Sequence, residues 1–203
     1  MAKTAKTTNK PVFCVQTDLT YDLAKILEEY RYLMSQVLHE DPTTWMGKDF
    51  DINLVHRPEK EGRDRFLTEA MQPYTYDNKY KDSDFTQFCA ELEGGYIHSI
   101  YKELNGRSAK GLRKFRLHNR MASRYISWHR DPHSGQRYHI ALWTNEGSLL
   151  LGKKTDNILD GVEAVHIPTD GSVWELKAND YDHAVINMGN TARCHLLASD
   201  WDD

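Results

Sequence analysis

The sequence predicts an α+β fold, in which helices and loops support a β-sandwich or barrel. Two amphipathic helical patterns occupy the N-terminal half, and beyond Gly111 about eight short alternating or apolar runs follow one another. Gly, Asn, Asp and Pro separate these runs at intervals typical of hairpins. We therefore expect a disordered tail at 1–10, helical and loop-rich support at 11–110 and a β core at about 111–203, with 11–203 forming a single domain.

Composition limits the class of protein. The 203 residues suffice for one domain with a sizeable core, and 39% hydrophobic residues are typical of a globular protein. A net charge of -4 gives no reason to expect nucleic acid as a partner. No window approaches the roughly 18 apolar residues of a membrane span, and the three separated cysteines suit free thiols. We expect a cytoplasmic protein without a membrane partner, whose oligomeric state the sequence leaves open.

Both helical patterns place apolar residues on one face. The first lies in TDLTYDLAKILEEYRYLMSQVLHED, with Thr17 or Asp18 as its N-cap. The second lies in SDFTQFCAELEGGYIHSIYKELNG, where Gly94 and Gly95 predict a break or kink. Each helix should bury one face against the β core or against a second subunit.

Polar side chains are concentrated in two stretches of the predicted β core. SWHRDPHSGQRYHIALWTN contains His129, Asp131, Arg137 and His139, and NDYDHAVINMGNTARCHLLASDW contains a second set, namely His183, Arg193 and His195. Residues two apart on a strand share a face. Three polar pairs therefore point the same way from separate strands: His129 with Asp131, Arg137 with His139, and Arg193 with His195. Such groups must satisfy one another, a metal ion or a charged ligand if they are buried.

Metal chemistry accounts for the first set. Two imidazoles and one carboxylate on one side of an ion leave the opposite coordination positions open, which is typical of non-haem Fe(II) oxygenases. An anionic ligand accounts for the arginines, because a buried guanidinium needs a carboxylate or phosphate partner.

These residues also carry a resemblance to a known family. HRD, followed by His183 and then Arg193, resembles the HxD…H…R pattern of Fe(II)- and 2-oxoglutarate-dependent dioxygenases. RYHIAL and HAVINMGNTARCHLLASD resemble the aspartyl/asparaginyl β-hydroxylase-like branch, with its R-x-H strand and its H-x-x-x-N…R-x-H-L…D segment. The similarity covers roughly residues 112–201.

The resemblance implies a double-stranded β-helix, a jelly-roll or cupin-like barrel, with N-terminal supporting helices. It implies that His129, Asp131 and His183 bind Fe(II) and form the catalytic site. It also implies a site for the co-substrate 2-oxoglutarate, formed by Arg193, which would pair with the distal carboxylate, and by Arg137, His139 and His195.

The implied activity is hydroxylation of an unactivated C–H bond with O2, giving succinate and CO2 as co-products. By the same resemblance the substrate is a protein side chain of the Asp, Asn or Pro type, with a free amino acid or small metabolite as the alternative. The best-known animal members of the branch lack the metal-binding carboxylate that Asp131 would supply here, so their substrate is not carried over. Substrate contacts are expected in the loop-rich region at 42–81, with Tyr74, Tyr76 and Tyr80.

Other interpretations remain open. A cupin-like metal protein without oxygenase activity would share the barrel, although the HxH pair of cupins is absent and two arginines would be unexplained. HRD also occurs in protein kinases, but Gln136 stands where that motif requires Asn. His133 fits the PHSG turn, and His118 and His166 are predicted to be ordinary strand or surface residues.

A basic run, GRSAKGLRKFRLHNRMASR, precedes the predicted strand that contains His129. It is consistent with a solvated face or with recognition of an acidic substrate or nucleic acid. Those of its arginines that face the interior would instead join the co-substrate site.

Overall fold

The computed structural model describes residues 13–41, 43, 48–60, 62–66, 84–131, 134–154 and 161–200. These ranges are mostly β-structure, with α1 at Leu23–Tyr32 and α2 at Tyr96–Arg107. Their strands are β1 (Cys14–Thr20), β2 (Phe50–Asn53), β3 (Val55–His56), β4 (Gln87–Phe88), β5 (Leu112–Arg120), β6 (Arg124–His129), β7 (Arg137–Trp143), β8 (Ser148–Lys153), β9 (Glu163–Val165), β10 (Ser172–Leu176), β11 (Asp182–Asn187) and β12 (Arg193–Asp200). Neither α1 nor α2 has the length and apolar content needed to cross a membrane.

The strands form three antiparallel sheets. Six of them pair in the order β1-β10-β7-β12-β5-β2, four pair in the order β6-β11-β8-β9, and β3 pairs with β4. Consecutive strands from β5 to β12 pass back and forth between the two larger sheets, with β8 and β9 following one another in the smaller sheet. The two larger sheets therefore receive alternate strands of the same stretch of chain.

Of the two predicted arrangements, a β-sandwich or a barrel, the described strands fit the sandwich, because they form separate sheets without pairing between the edges of the two larger ones. Two twisted sheets can pack face to face and fill the space between them with side chains, so closure is not needed to bury a core. The two predicted helices and the β core are both present.

Apolar layers cover both faces of the six-stranded sheet. On one face α1 and α2 pack against the sheet through Ile26, Tyr30, Ile97, Ile100, Leu104, Phe115, Leu117, Ile140 and Leu196. On the other face, between the two larger sheets, lie Phe13, Cys14, Ala141, Leu150, Leu176, Tyr181 and Val185. Because strand side chains alternate, the even-numbered residues 114–120 of β5 face the smaller sheet, and polar residues there enter the space between the sheets.

The first helix begins later than predicted. Residues 14–20 form β1, which pairs with β10 at the edge of the six-stranded sheet. Asp22, rather than Thr17 or Asp18, is the N-cap, and its Oδ1 accepts hydrogen bonds from the amides of Ala24 (3.0 Å) and Lys25 (3.3 Å). The prediction failed because strand pairing with a distant segment overrode the helical pattern of the first residues. A π-helical turn, Leu33–Val37, continues the helix.

The second helix is shorter than predicted, and the break lies at the two glycines. Phe88 belongs to β4, a 3-10 turn covers Ala90–Leu92, and α2 starts after Gly95, whose backbone is extended. The carboxylate of Glu29 in α1 accepts hydrogen bonds from the amides of Tyr96 and Ile97. A Cβ at Gly95 would lie 2.4 Å from that carboxylate, so the missing side chain permits the close approach.

Candidate metal centre

A cavity of about 210 Å³ lies between the inner faces of the two larger sheets. Strands β5, β7 and β12 contribute its wall on the six-stranded side, and β6 and β11 contribute the opposite wall. His129, Asp131, Arg137, His139, His183 and Arg193, all of them predicted site residues, line it. These six predicted residues thus converge on one cavity, although they come from four different strands or their ends. The seventh, His195, does not line the cavity and contacts Arg193.

Strand pairing brings the three predicted metal ligands together. His129 ends β6 and pairs directly with His183 on β11, so that their ring centroids lie 4.2 Å apart. Asp131 follows β6, and its Oδ2 lies 3.4 Å from Nε2 of His183 while its Oδ1 lies 4.0 Å from Nε2 of His129. One potential ligand atom from each residue lies within 4.8 Å of the others. This grouping matches the two-imidazole, one-carboxylate donor set of a facial metal site.

Backbone hydrogen bonds orient both imidazoles. Nδ1 of His129 lies 2.7 Å from the carbonyl oxygen of Ser127, and Nδ1 of His183 lies 3.2 Å from that of Tyr181. Each Nδ1 therefore carries the proton and donates it, which leaves the lone pair of Nε2 directed at the site. Burial lowers the pKa of His129, so its ring is neutral and competent to bind a metal at neutral pH.

Arg137 lies against the same group of atoms. Its guanidinium forms an ion pair with Asp131, and its Nη1 lies 3.5 Å from Nε2 of His183. Burial raises the pKa of Asp131, but contact with His183 and the charge of Arg137 outweigh it, so the pKa is held well below its ordinary value. The carboxylate is thus ionised, as a metal ligand must be.

Arg193 is buried behind the three candidate ligands, together with two further histidines. Its Nη2 donates to Nδ1 of His195 at 2.7 Å, and Nδ1 of His139 lies 3.3 Å from the same atom. Burial lowers the pKa of Arg193 to about 10, so the side chain stays charged at neutral pH.

The hydrogen-bonding capacity around Arg193 is incomplete. Its Nε and Nη1, and Nε2 of both His139 and His195, have no hydrogen-bond partner within the described ranges. A buried cation in this state is costly unless an anion completes it. A carboxylate bound in the cavity would accept from Nε and Nη1 of Arg193, so the residues present fit an oxyanion ligand beside a metal.

The sequence did not identify the cavity residues that lie on β2 and β5. His118, predicted to be an ordinary residue, is buried, and its Nδ1 donates to Asp51 at 2.5 Å. Burial lowers the pKa of His118 to about 3, so the ring is neutral. Arg116 and Arg120 flank the same carboxylate. Alternation within the basic run was the available signal for His118, whereas no signal pointed to Asp51.

The basic run has residues in both environments expected for it, the exposed surface and the interior. Lys114, Arg116 and Arg120 line the cavity, and Arg107, Lys110 and Arg124 are exposed. Neither a wholly solvated face nor a wholly internal one describes it, because the cavity-lining residues share one face of β5, whereas the exposed ones lie at the end of α2, in the loop after it and at the start of β6.

Several other sequence-selected residues have structural roles or lie outside the described ranges. Asn187 donates to the carbonyl oxygens of Met121 and Thr191. Trp143 packs in the helix-side core. His133, Tyr74, Tyr76 and Tyr80 lie outside the described residues.

A scan against models of known protein families finds no match, and a search of curated proteins finds none either. Among solved structures, a 2OG-Fe(II) oxygenase family oxidoreductase from Burkholderia pseudomallei is 14% identical, with 56% of this chain and 57% of that chain covered and a TM-score of 0.40. A Pseudomonas putida prolyl-4-hydroxylase is 14% identical, with 53% and 63% covered and a TM-score of 0.37. IDO from Bacillus thuringiensis is 10% identical, with 94% and 90% covered and a TM-score of 0.48.

This chain therefore spans less than two thirds of the Burkholderia and Pseudomonas proteins. None of the three descriptions names the aspartyl/asparaginyl β-hydroxylase-like branch. The identities and TM-scores are too low for an inference about function, so any such inference depends on the site itself.

Proposed function

We propose that the protein is an Fe(II)- and 2-oxoglutarate-dependent oxygenase that hydroxylates an unactivated C–H bond. The proposed domain, residues 11–203, has a double-stranded β-helix as its core, since its strands β5 to β12 alternate between two facing sheets. The observation that carries the proposal is the presence, in one cavity, of a two-histidine, one-carboxylate group and a buried arginine with unpartnered donors.

His129, Asp131 and His183 would hold the iron. Their donor atoms are oriented for it, because each histidine uses Nδ1 to bond a backbone carbonyl and keeps Nε2 for the metal. Three protein ligands leave further coordination positions for a bidentate co-substrate and for O2. When bound, Fe(II) with 2-oxoglutarate and O2 supplies the oxidising chemistry that converts C–H to C–OH, with succinate and CO2 as co-products.

Arg193 would bind the distal carboxylate of 2-oxoglutarate. Its Nε and Nη1 are the donors available to that carboxylate, while Nη2 is held by His195. His195 and His139 stand behind the guanidinium and keep its orientation fixed, and they would take part in the same site. A fixed, desolvated guanidinium discriminates in favour of a ligand with a carboxylate at the correct distance from the metal.

Arg137 has a separate part in this proposal. Its guanidinium forms an ion pair with Asp131 and lies beside Nε2 of His183. From this position it would contact the co-substrate beside the metal. Apolar side chains of both sheets, among them Leu150, Leu176 and Val185, line part of the cavity. They lower the local polarity, which strengthens charge interactions beside them.

The substrate expected from the resemblance is a protein side chain, with a free amino acid or other small metabolite as the alternative. To test the oxygenase proposal, the protein can be incubated in air with Fe(II), 2-oxoglutarate and a mixture of free amino acids and blocked peptides. We expect succinate to accumulate only when iron, 2-oxoglutarate and O2 are all present, and to fall at least about 100-fold in Asp131→Ala. Equal succinate from wild type and Asp131→Ala would contradict the proposal.

A further inference from the structure

Basic side chains of β5 form a second charged wall of the cavity. Lys114, Arg116 and Arg120 alternate along the strand, so they share the face that lines the space between the two sheets. Lys114 and Arg116 are not among the candidate ligands or the residues that would hold the co-substrate, whereas Arg120 pairs directly with Arg193 across β5 and β12. The charges of Lys114 and Arg116 therefore need a different explanation.

Strand register places this wall across the cavity from the metal centre. Ser199 of β12 pairs with Lys114 on one side and with Arg137 on the other. Leu197 likewise pairs with Arg116 on one side and with His139 on the other. The β5 residues thus lie two strand spacings from the metal side, on the order of 10 Å between Cα positions. A small molecule held there would reach the metal centre.

The charges on this wall do not cancel. Asp51 is the carboxylate that faces it, with Oδ2 3.3 Å from Arg120 and 3.9 Å from Arg116. His118, which also contacts Asp51, is neutral because it is buried. One carboxylate therefore serves two guanidiniums, and one positive charge remains even when Lys114 is left aside. Nε of Arg116 is buried and has no hydrogen-bond partner in the described part of the chain.

We propose that Arg116, with Lys114 and Arg120 beside it, binds a carboxylate group of the substrate. A guanidinium can donate two parallel hydrogen bonds to a carboxylate, and a bound carboxylate would offset positive charge that Asp51 leaves in excess. Asp51 keeps both arginines turned into the cavity and is a positioning residue for them. The inference depends on the proposed function, because an oxygenase at the metal centre makes the second occupant of the cavity its substrate.

Two sources would supply this group: a free amino or carboxylic acid, or the acidic side chain of a peptide. The probes are the free L-amino acids paired with their α-carboxamides, and blocked pentapeptides with a central Asp or Glu paired with their Asn or Gln counterparts. The readout is the thermal unfolding midpoint of the metal-free protein, which needs no turnover. A carboxylate probe at ten times its dissociation constant should raise the midpoint by about 3 °C, and its paired amide should not. The class of probe that raises the midpoint, free acid or blocked peptide, identifies the source of the carboxylate group.

Variants locate the binding residue. Arg116→Gln should abolish the rise in midpoint, and Arg116→Lys should keep part of it. Arg113→Gln is the matched control, because it removes the same charge from the opposite face of β5 and should respond as wild type does. Circular dichroism checks that each variant is folded. The affinity for 2-oxoglutarate in the presence of Fe(II) should change less than about twofold in Arg116→Gln.

Four results would overturn the proposal: amides that act as well as carboxylates, a panel in which no carboxylate acts, an Arg116→Gln variant that responds as wild type does, or a tenfold loss of 2-oxoglutarate affinity in that variant. The last would place Arg116 in the co-substrate site. Failure of wild type to form a complex with Fe(II) and 2-oxoglutarate is a separate result, which contradicts the oxygenase proposal. The experiment on metal-free protein would still decide whether Arg116 binds carboxylates.

Discussion

His129 and His183 are direct partners across the antiparallel pair β6 and β11, with their rings 4.2 Å apart and each Nδ1 bonded to a backbone carbonyl two residues earlier in the chain. This relationship holds two imidazoles side by side, with Nε2 of each directed at the site. Pre-organised ligands reduce the cost of binding, because little side-chain freedom is lost when the ion arrives.

Replacing His183 should therefore remove most of the metal affinity. We expect His183→Ala to bind Zn(II) at least about 100-fold more weakly than wild type, because two remaining ligands cannot complete the donor set. Isothermal titration calorimetry measures the affinity. His39→Asn is the control, since His39 is exposed and its left-handed backbone suits Asn. Wild-type affinity in His183→Ala would contradict the site.

Arg193 should decrease the stability of the metal-free protein while enabling it to bind the co-substrate. In Arg193→Met an uncompensated buried charge is replaced by an apolar side chain, so we expect the free energy of unfolding to be unchanged or higher by about 1–3 kcal/mol. Binding of 2-oxoglutarate to the iron-loaded protein should weaken at least about tenfold.

Urea denaturation and equilibrium titration measure these two quantities. Arg107→Met is the matched control, because Arg107 is partly exposed and pairs with Asp18 at the surface. The explanation would be wrong if Arg193→Met lost several kcal/mol of stability and kept its affinity for 2-oxoglutarate.

Acid should destabilise the metal-free fold through three buried histidines. Burial lowers the pKa of His118 to about 3 and holds those of His139 and His195 well below the ordinary value. Between that ordinary value, about 6.5, and the folded-state pKa, the unfolded chain binds protons that the folded chain does not, so stability falls as pH falls.

Each of these histidines should lower the free energy of unfolding by about 1 kcal/mol when the pH falls from 7 to 5.5. Urea denaturation at the two pH values measures the sum, which should be about 3–4 kcal/mol. His118→Gln should show a smaller dependence on pH than wild type. A free energy of unfolding that does not change over this range would show that the buried rings are not neutral.

Glu29 should stabilise the start of α2 from outside that helix. Its carboxylate accepts from the amides of Tyr96 and Ile97, which have no partner within their own helix. We expect Glu29→Ala to lower the free energy of unfolding by about 1 kcal/mol. Glu28→Ala, at the exposed neighbouring position, should have an effect near zero by the same denaturation measurement.

The sequence predicted the parts of the site that lie close together on strands. HRD and RYHIAL could be placed by strand alternation, and the resemblance supplied His183 and Arg193 as their partners. Of these segments, the structure brings His129, Asp131, Arg137, His139, His183 and Arg193 to one cavity. Their roles as ligands and co-substrate contacts stay predictions until metal and co-substrate binding are measured.

The remaining features depend on contacts between distant segments. Asp51 enters the site because β2 pairs with β5, and nothing in the loop-rich stretch around it predicts that pairing. Residues 14–20 form an edge strand by pairing with β10, although the predicted helix began at Thr17 or Asp18. Alternation along β5 separates its residues into two faces, but the sequence does not say which face lines the cavity. Contacts of β5 with α2 and β12 decide that.

The central claim is that the cavity holds Fe(II) and 2-oxoglutarate together, and an anaerobic titration tests it most directly. Metal-free protein would receive Fe(II) and then 2-oxoglutarate while its visible spectrum is followed. We predict a charge-transfer band that requires both additions, is absent in His183→Ala and needs higher 2-oxoglutarate concentrations in Arg193→Met. Folded protein that binds Fe(II) but gives no band with 2-oxoglutarate would contradict the claim and favour a cupin-like metal site without oxygenase activity.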